Sequence, residues 1–204
     1  MWDRISKLEG SKVIVPGLSR SDLPVIFKEM GLKVGVEIGV YKGEYTEKFC
    51  KAGLKMYAVD PWLNYGDYIH PKGQEREDFL YGHTWRTLAP YKELAVIIRK
   101  TSMEAAAEFQ DNSVDFVYID GHHGFRYIAE DIWEWTKKVR VGGVISGHDY
   151  GINSKPMRDP FVLHVKHVVD AWIKTFKISK MYLTDIPDNP SKEDRTRSWF
   201  WIKE

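Results

Sequence analysis

Five short stretches of this chain gather ionisable or hydrogen-bonding residues directly after apolar runs. "VEIGVYKG" carries Glu37, Gly39 and Gly43; "AVDPW" carries Asp60, Pro61 and Trp62; "KTSM" carries Ser102 and Met103. "YIDGHH" adds Asp120, His122 and His123, and "SGHDY" adds His148 and Asp149. Carboxylates accept hydrogen bonds from hydroxyl and ammonium groups, and imidazole exchanges protons near neutral pH. Such a set suits holding a polar ligand and managing one proton. Gly39 and Gly43 let the backbone turn tightly and approach that ligand closely. On this reading a side chain at Gly39 blocks the ligand and spares the fold. Asp60 stands about 20 residues beyond the glycine corner, the spacing at which a carboxylate takes ribose hydroxyls in dinucleotide folds.

Each stretch has a plainer reading. A glycine corner is also a simple turn, and Asp60 before a proline is also a loop acid. Ser102 reads as a helix N-cap, and His122 as a solvated loop residue. What favours chemistry is that all five corners fall on one edge of one sheet.

The elements behind them are short apolar runs at 34–39, 55–60, 94–99, 114–120 and 142–149, rich in Val and Ile, which read as buried parallel strands. Helical patterns separate them. "SDLPVIFKEM" offers Ser21 or Asp22 as a cap and Pro24 in its first turn. "FRYIAEDIWEWTKK" places Phe125, Ile128, Ala129, Ile132 and Trp133 on one face, and a later helix does the same with Phe161, Val165, Val168, Val169 and Trp172. Two final strands, 178–184 and 198–203, flank a polar, proline-bearing stretch and read as an antiparallel hairpin. The expected fold is α/β: a doubly wound sheet of seven strands, mostly parallel, closed by that C-terminal antiparallel hairpin. Ligands of such sheets sit beyond the carboxyl ends of the strands, where the five corners lie.

The 204 residues, 43% hydrophobic, suit one domain over 1–204, with 1–33 as an N-terminal helical extension. Thirty basic against 29 acidic residues leave a net charge of +1, which disfavours a nucleic-acid partner. Cys50 is the single cysteine, so a disulfide framework is excluded and a cytoplasmic location is expected. No stretch reaches the length of a membrane span, so no membrane partner is expected.

Taken in order, "VEIGVYKGEYT", "AVDPW", "KTSMEA", "DFVYIDGHH" and "VGGVISGHDY" resemble the motifs of class I S-adenosylmethionine-dependent methyltransferases. The resemblance is to the small methyltransferase-domain group that reads EIG-x-x-x-G, IDG-x-H and GG-x-I-x-x-HDY. It covers Val34 to Tyr150 and implies a Rossmann-like sheet. It also implies roles. Gly39 and Gly43 admit the methionine part of the cofactor, and Glu37 faces its ammonium. Asp60 holds the ribose hydroxyls, Pro61 and Trp62 flank adenine, and Ser102 and Met103 meet its edge. Asp120 lies by the transferring methyl. Two positions depart from the group: Tyr45 replaces a small residue, and Phe125 replaces a Tyr.

An activated methyl needs an aligned acceptor and a base, so an oxygen acceptor on a small molecule or sugar is expected, nitrogen second, beside Asp120, His123 and His148. His148 is the favoured base. Related O-methyltransferases bind a divalent ion at the matching corners, here Asp120, His148 and Asp149, and a histidine there favours a transition metal over magnesium. Two other classes stay open: a nicotinamide-dependent oxidoreductase, which lacks G-x-G-x-x-G here, and a metal-dependent hydrolase on Asp120, His122, His123 and Asp149. Segments 62–85 and 150–160 are long enough to be substrate lids, and a homo-oligomer is compatible with the chain.

Overall fold

A computed structural model describes residues 1–64, 73–151, 162–186 and 195–204. Eight strands form one sheet: β1 (Lys12–Ile14), β2 (Val34–Ile38), β3 (Lys55–Val59), β4 (Ala95–Ile98), β5 (Val114–Ile119), β6 (Val139–Tyr150), β7 (Met181–Leu183) and β8 (Arg197–Ile202). Their spatial order is β1-β7-β8-β6-β5-β2-β3-β4. The run from β6 through β5, β2 and β3 to β4 is parallel, and β8 runs antiparallel to both β6 and β7. The fold is the expected Rossmann-like one, with one strand more. That strand, β1, pairs parallel with β7 at the sheet edge, so the 1–33 segment is not wholly helical. Three residues, Lys-Val-Ile, are too few to show a strand period, which is why the pattern escapes notice in the sequence.

Alternation along the strands sends successive side chains to opposite faces. On β8, Trp199 and Trp201 enter one hydrophobic cluster and Phe200 the other. On β5, Val117 and Ile119 face the first, whereas Phe116 and Tyr118 face the second. The first face is covered by α5 (Ser102–Ala106), α6 (Phe125–Lys138) and α7 (Val162–Thr175). The second is covered by α1 (Trp2–Ser6), α2 (Leu23–Glu29) and α3 (Glu44–Lys51). A longer helix, α4 (Gly73–Leu88), lies beside α3 and buries Leu80 and Leu88 against Val40, Ala58 and Trp62.

Two helix readings shift by a residue or more. The box that starts α5 is Thr101–Glu104: the Glu104 N–H donates to Thr101 Oγ1 at 3.3 Å, and the Thr101 N–H donates to Glu104 Oε2 at 3.0 Å. The cap is therefore Thr101, not Ser102, because the threonine sits three residues before the glutamate. In α6 the buried stripe is Ile128, Asp131, Ile132 and Trp135, while Phe125 and Trp133 are exposed. A buried aspartate within the stripe disguises its apolar character. The Val165, Val168 and Val169 face of α7 is buried as expected, and Phe161 lies outside the described residues.

Candidate active site

The β2–α3 corner is built from three left-handed residues: Gly39 (φ +86°), Tyr41 (φ +57°) and Gly43 (φ +80°). A Cβ on Gly39 would stand 2.3 Å from the Asp120 carbonyl oxygen, so the corner is pressed against the end of β5. Gly39 is therefore needed for the fold, which corrects the expectation that a side chain there spares the structure. A Cβ on Gly43 would meet Thr84 and Leu88 of α4, at 3.2 and 3.3 Å. Gly43 thus faces α4.

Successive amides in such a corner form an anion-binding concavity. Asp60 fills it. Its Oδ2 accepts the Val40 and Tyr41 N–H groups at 2.9 and 3.0 Å, and its Oδ1 accepts the Trp62 N–H at 2.8 Å. Burial raises the Asp60 pKa against these three donors. Oδ1 has one donor and keeps a lone pair for another. Trp62, expected beside adenine, is buried, with its Nε1 donating to the Tyr41 carbonyl at 2.9 Å. Its apolar ring packs under α4. Pro61 is half-buried and its carbonyl accepts from Arg99 Nε at 3.5 Å.

Glu37 is buried at the end of β2, and burial pushes its pKa up to about 8 even though the Thr46 hydroxyl donates to it. Ser102 donates to buried Asp131 and accepts from Trp135 Nε1 at 2.8 Å, so its hydroxyl is engaged inside the protein. Met103 lines, with Arg126, Glu130, Trp133 and Trp172, a cavity of about 540 Å³ between α5, α6 and α7.

Asp120, His123, His148 and Asp149 do come together. His123 Nε2 lies 2.9 Å from Asp149 Oδ2, and His148 Nδ1 lies 3.4 Å from the same oxygen and 3.8 Å from Asp120 Oδ1. Thr196, just before the last strand, donates to Asp149 Oδ1 at 2.9 Å. In a regular strand His148 and Asp149 would point to opposite faces. The β6–β8 register slips between Gly147 and Tyr150, and Asp149 adopts φ +57°, so both side chains turn to one point. Burial alone would raise the Asp149 pKa, but hydrogen bonds from His123 and His148 hold it well below the usual carboxylate range. His148 is only 7% exposed, whereas the His123 side chain is 20% exposed. His122 turns aside, with its Nδ1 accepting the Gly124 N–H at 3.0 Å.

One ligand atom each from Asp120, His123 and Asp149 lies within 4.8 Å of the others, enough to hold one cation. Two carboxylates and an imidazole fit a transition-metal ion such as Mn²⁺. The imidazole in this set is His123; the expected His148 stands beside the same acids, its Nδ1 3.4 Å from Asp149 and 3.8 Å from Asp120. Both acids already hold protein partners.

The residue that sequence reasoning missed is Arg20. Its Nη2 donates to Asp120 Oδ2 at 2.5 Å, and its side chain is 11% exposed. Nothing near Arg20 in the chain signals this, since Asp120 is 100 residues away. The only hint is Tyr45, whose ring lies 4.1 Å from the guanidinium.

Acids at the ends of neighbouring strands β2, β3 and β5, with a His–Asp pair beside them, gather at the carboxyl edge of the sheet, where ligands of doubly wound folds bind. Residues 36–150, more than half of the chain, match the family model described as "Methyltransferase domain", and the chain belongs to that family. An uncharacterised protein of Sinorhizobium fredii, y4gI, is 27% identical over 124 residues, covering 56% of this chain and 13% of that much longer protein. Among solved structures, a putative caffeoyl-CoA O-methyltransferase from Staphylococcus aureus superposes with a TM-score of 0.65 at 16% identity, covering 93% of this chain and 86% of that one. An O-methyltransferase from Bacillus cereus, solved in complex with S-adenosylhomocysteine, gives 0.64 at 14% identity over 98% and 87%. These two likenesses concern the fold. Among the described residues, no helix is long and apolar enough to cross a membrane.

Proposed function

We propose that this protein transfers a methyl group from S-adenosylmethionine to an oxygen of a small molecule or sugar. The observation that carries the reading is the row of acids Glu37, Asp60 and Asp120 along the sheet edge, next to the His123–Asp149 pair. S-adenosylmethionine, when bound, supplies an already activated sulfonium methyl. Glu37 would take the cofactor's ammonium, and the spare lone pair on Asp60 Oδ1 a ribose hydroxyl. The Ser102 hydroxyl is bonded to Asp131 and Trp135, so in this reading its contact with the adenine edge would use the remaining lone pair or the backbone.

At the acceptor end, His123 is the base of this reading. It is the more exposed imidazole, and Asp149 holds its Nε2 and stabilises the ring once it gains a proton. His148, packed below, supports Asp149. A divalent ion at Asp120, His123 and Asp149 would lower the pKa of an acceptor hydroxyl; the His123–Asp149 pair offers the same proton removal without it. The structurally similar O-methyltransferase from B. cereus, solved with S-adenosylhomocysteine, supports both the cofactor and oxygen as acceptor.

Calorimetry with S-adenosylhomocysteine and with NAD tests the cofactor half. Binding of the first and not the second is expected, and tighter binding of NAD would overturn it. Transfer of isotope-labelled methyl to phenols, sugars and amines tests the acceptor half, and labelling of amines alone would exclude oxygen.

A further inference from the structure

Arg20 lies outside residues 36–150, the span shared with the family, yet its guanidinium completes the site. The turn that carries it is closed by Ser19, whose N–H and hydroxyl both donate to Asp22 Oδ2, at 2.8 and 2.7 Å. Tyr45 and Tyr118 form the platform beneath, with ring centroids 4.1 and 5.3 Å from the guanidinium carbon. The Tyr45 hydroxyl then donates to the Arg20 carbonyl at 2.9 Å, locking the pair from both ends. Tyr45 thus holds Arg20 through both its ring and its hydroxyl, so platform and arginine read as one device. Arg20 Nε is buried without a hydrogen-bond partner among the described residues. Such burial is costly and marks a charge held in place by its neighbours.

That charge acts on Asp120 in two ways. It occupies Oδ2, so Oδ1 is the oxygen turned toward His148 Nδ1. It also returns one positive charge to a cluster in which Asp120 and Asp149 supply two negative ones, and a guanidinium keeps that charge at every physiological pH. A divalent ion between Asp120, His123 and Asp149 would feel the repulsion of Arg20 in a poorly screened setting. We infer that Arg20 is a positioning residue that orients Asp120 and holds the Asp120–His123–Asp149 point against divalent cations, serving as the site's own counter-cation. The inference builds on the reading of Asp120 as a site residue of the proposed transferase, but its test does not require transferase activity.

The experiment is a titration of the full chain with Mn²⁺ alone, followed by electron paramagnetic resonance, for the native protein, Arg20→Gln and Arg20→Lys. Arg20→Gln is expected to bind Mn²⁺ about tenfold more tightly than the native chain or better, and Arg20→Lys to fall back toward it. A purely structural arginine would give no gain. Equal affinity of native chain and Arg20→Gln, or no Mn²⁺ binding by either, overturns the inference. Circular dichroism checks folding, and if Arg20→Gln does not fold, Arg20→Met, whose apolar stem keeps its packing on Tyr45, decides by the same comparison. Failure of S-adenosylhomocysteine to bind the native chain would instead remove the proposed activity, leaving the Mn²⁺ result to stand alone.

Discussion

Asp60 Oδ2 accepts the Tyr41 N–H at 3.0 Å, so an acid at the end of β3 closes the corner that follows β2. With the Val40 and Trp62 amides, that carboxylate satisfies three backbone donors. Asp60→Ala leaves all three without their partner and should lower stability by about 2–4 kcal/mol as well as abolish cofactor binding. Asp60→Asn keeps one acceptor oxygen and should retain most of the melting temperature while still losing affinity. Thermal denaturation beside calorimetry separates the two effects, and an Ala variant with native melting would show that the corner stands without Asp60.

Gly39→Ala is expected to destabilise the fold itself. Its Cβ would lie 2.3 Å from the Asp120 carbonyl oxygen, on a backbone at φ +86°. The clash and the left-handed strain together should cost about 2–4 kcal/mol. Urea unfolding measures it, and a native midpoint would contradict the close contact.

Glu37, raised to about 8 by burial, is mostly protonated at pH 6.5. An ammonium brought beside it would ionise it, so binding of S-adenosylhomocysteine should release up to about one proton at that pH, where the ligand's own amine is already charged. Calorimetry in buffers of different ionisation enthalpy counts the protons. Glu37→Gln should release none, and buffer-independent heats for the native chain would argue against the Glu37 contact.

Asp131 gives a stability signature. Burial pushes its pKa up to about 7, against a hydrogen bond from Ser102. Between the unfolded value of about 3.9 and this raised one, the folded state binds more protons, so stability falls as pH rises and the loss is complete above pH ~7. Asp131→Asn keeps the acceptor for Ser102 and removes the titration. At about 1.4 kcal/mol per pKa unit, it should be more stable than the native chain by about 2–4 kcal/mol at pH 8 and no more stable near pH 4. Parallel denaturation curves at both pH values would refute the assignment.

Chelation is expected to leave cofactor binding and methyl transfer largely unchanged, since His123 with Asp149 can take the acceptor proton. Activity lost to EDTA and regained with Mn²⁺ would move the chemistry to a metal.

The sequence by itself determined every strand but β1, together with the residues at their ends. Apolar runs of Val and Ile carry their own period, and an acid or histidine that follows one must emerge at the sheet edge. That local rule placed Glu37, Asp60, Asp120, His123, His148 and Asp149 together, and the order of motifs pointed to the family. Tertiary structure decided what each side chain does there. The slip in register at His148 and Asp149 depends on how β8 pairs with β6, and the capture of the Val40 and Tyr41 amides depends on β3 lying beside β2. Trp62 is buried because α4 crosses over it, and Ser102 is claimed by an aspartate from α6. Arg20 reaches Asp120 across 100 residues of chain. Such contacts leave no periodic trace, because they are set by which elements the folded sheet brings side by side, and no local pattern records that choice.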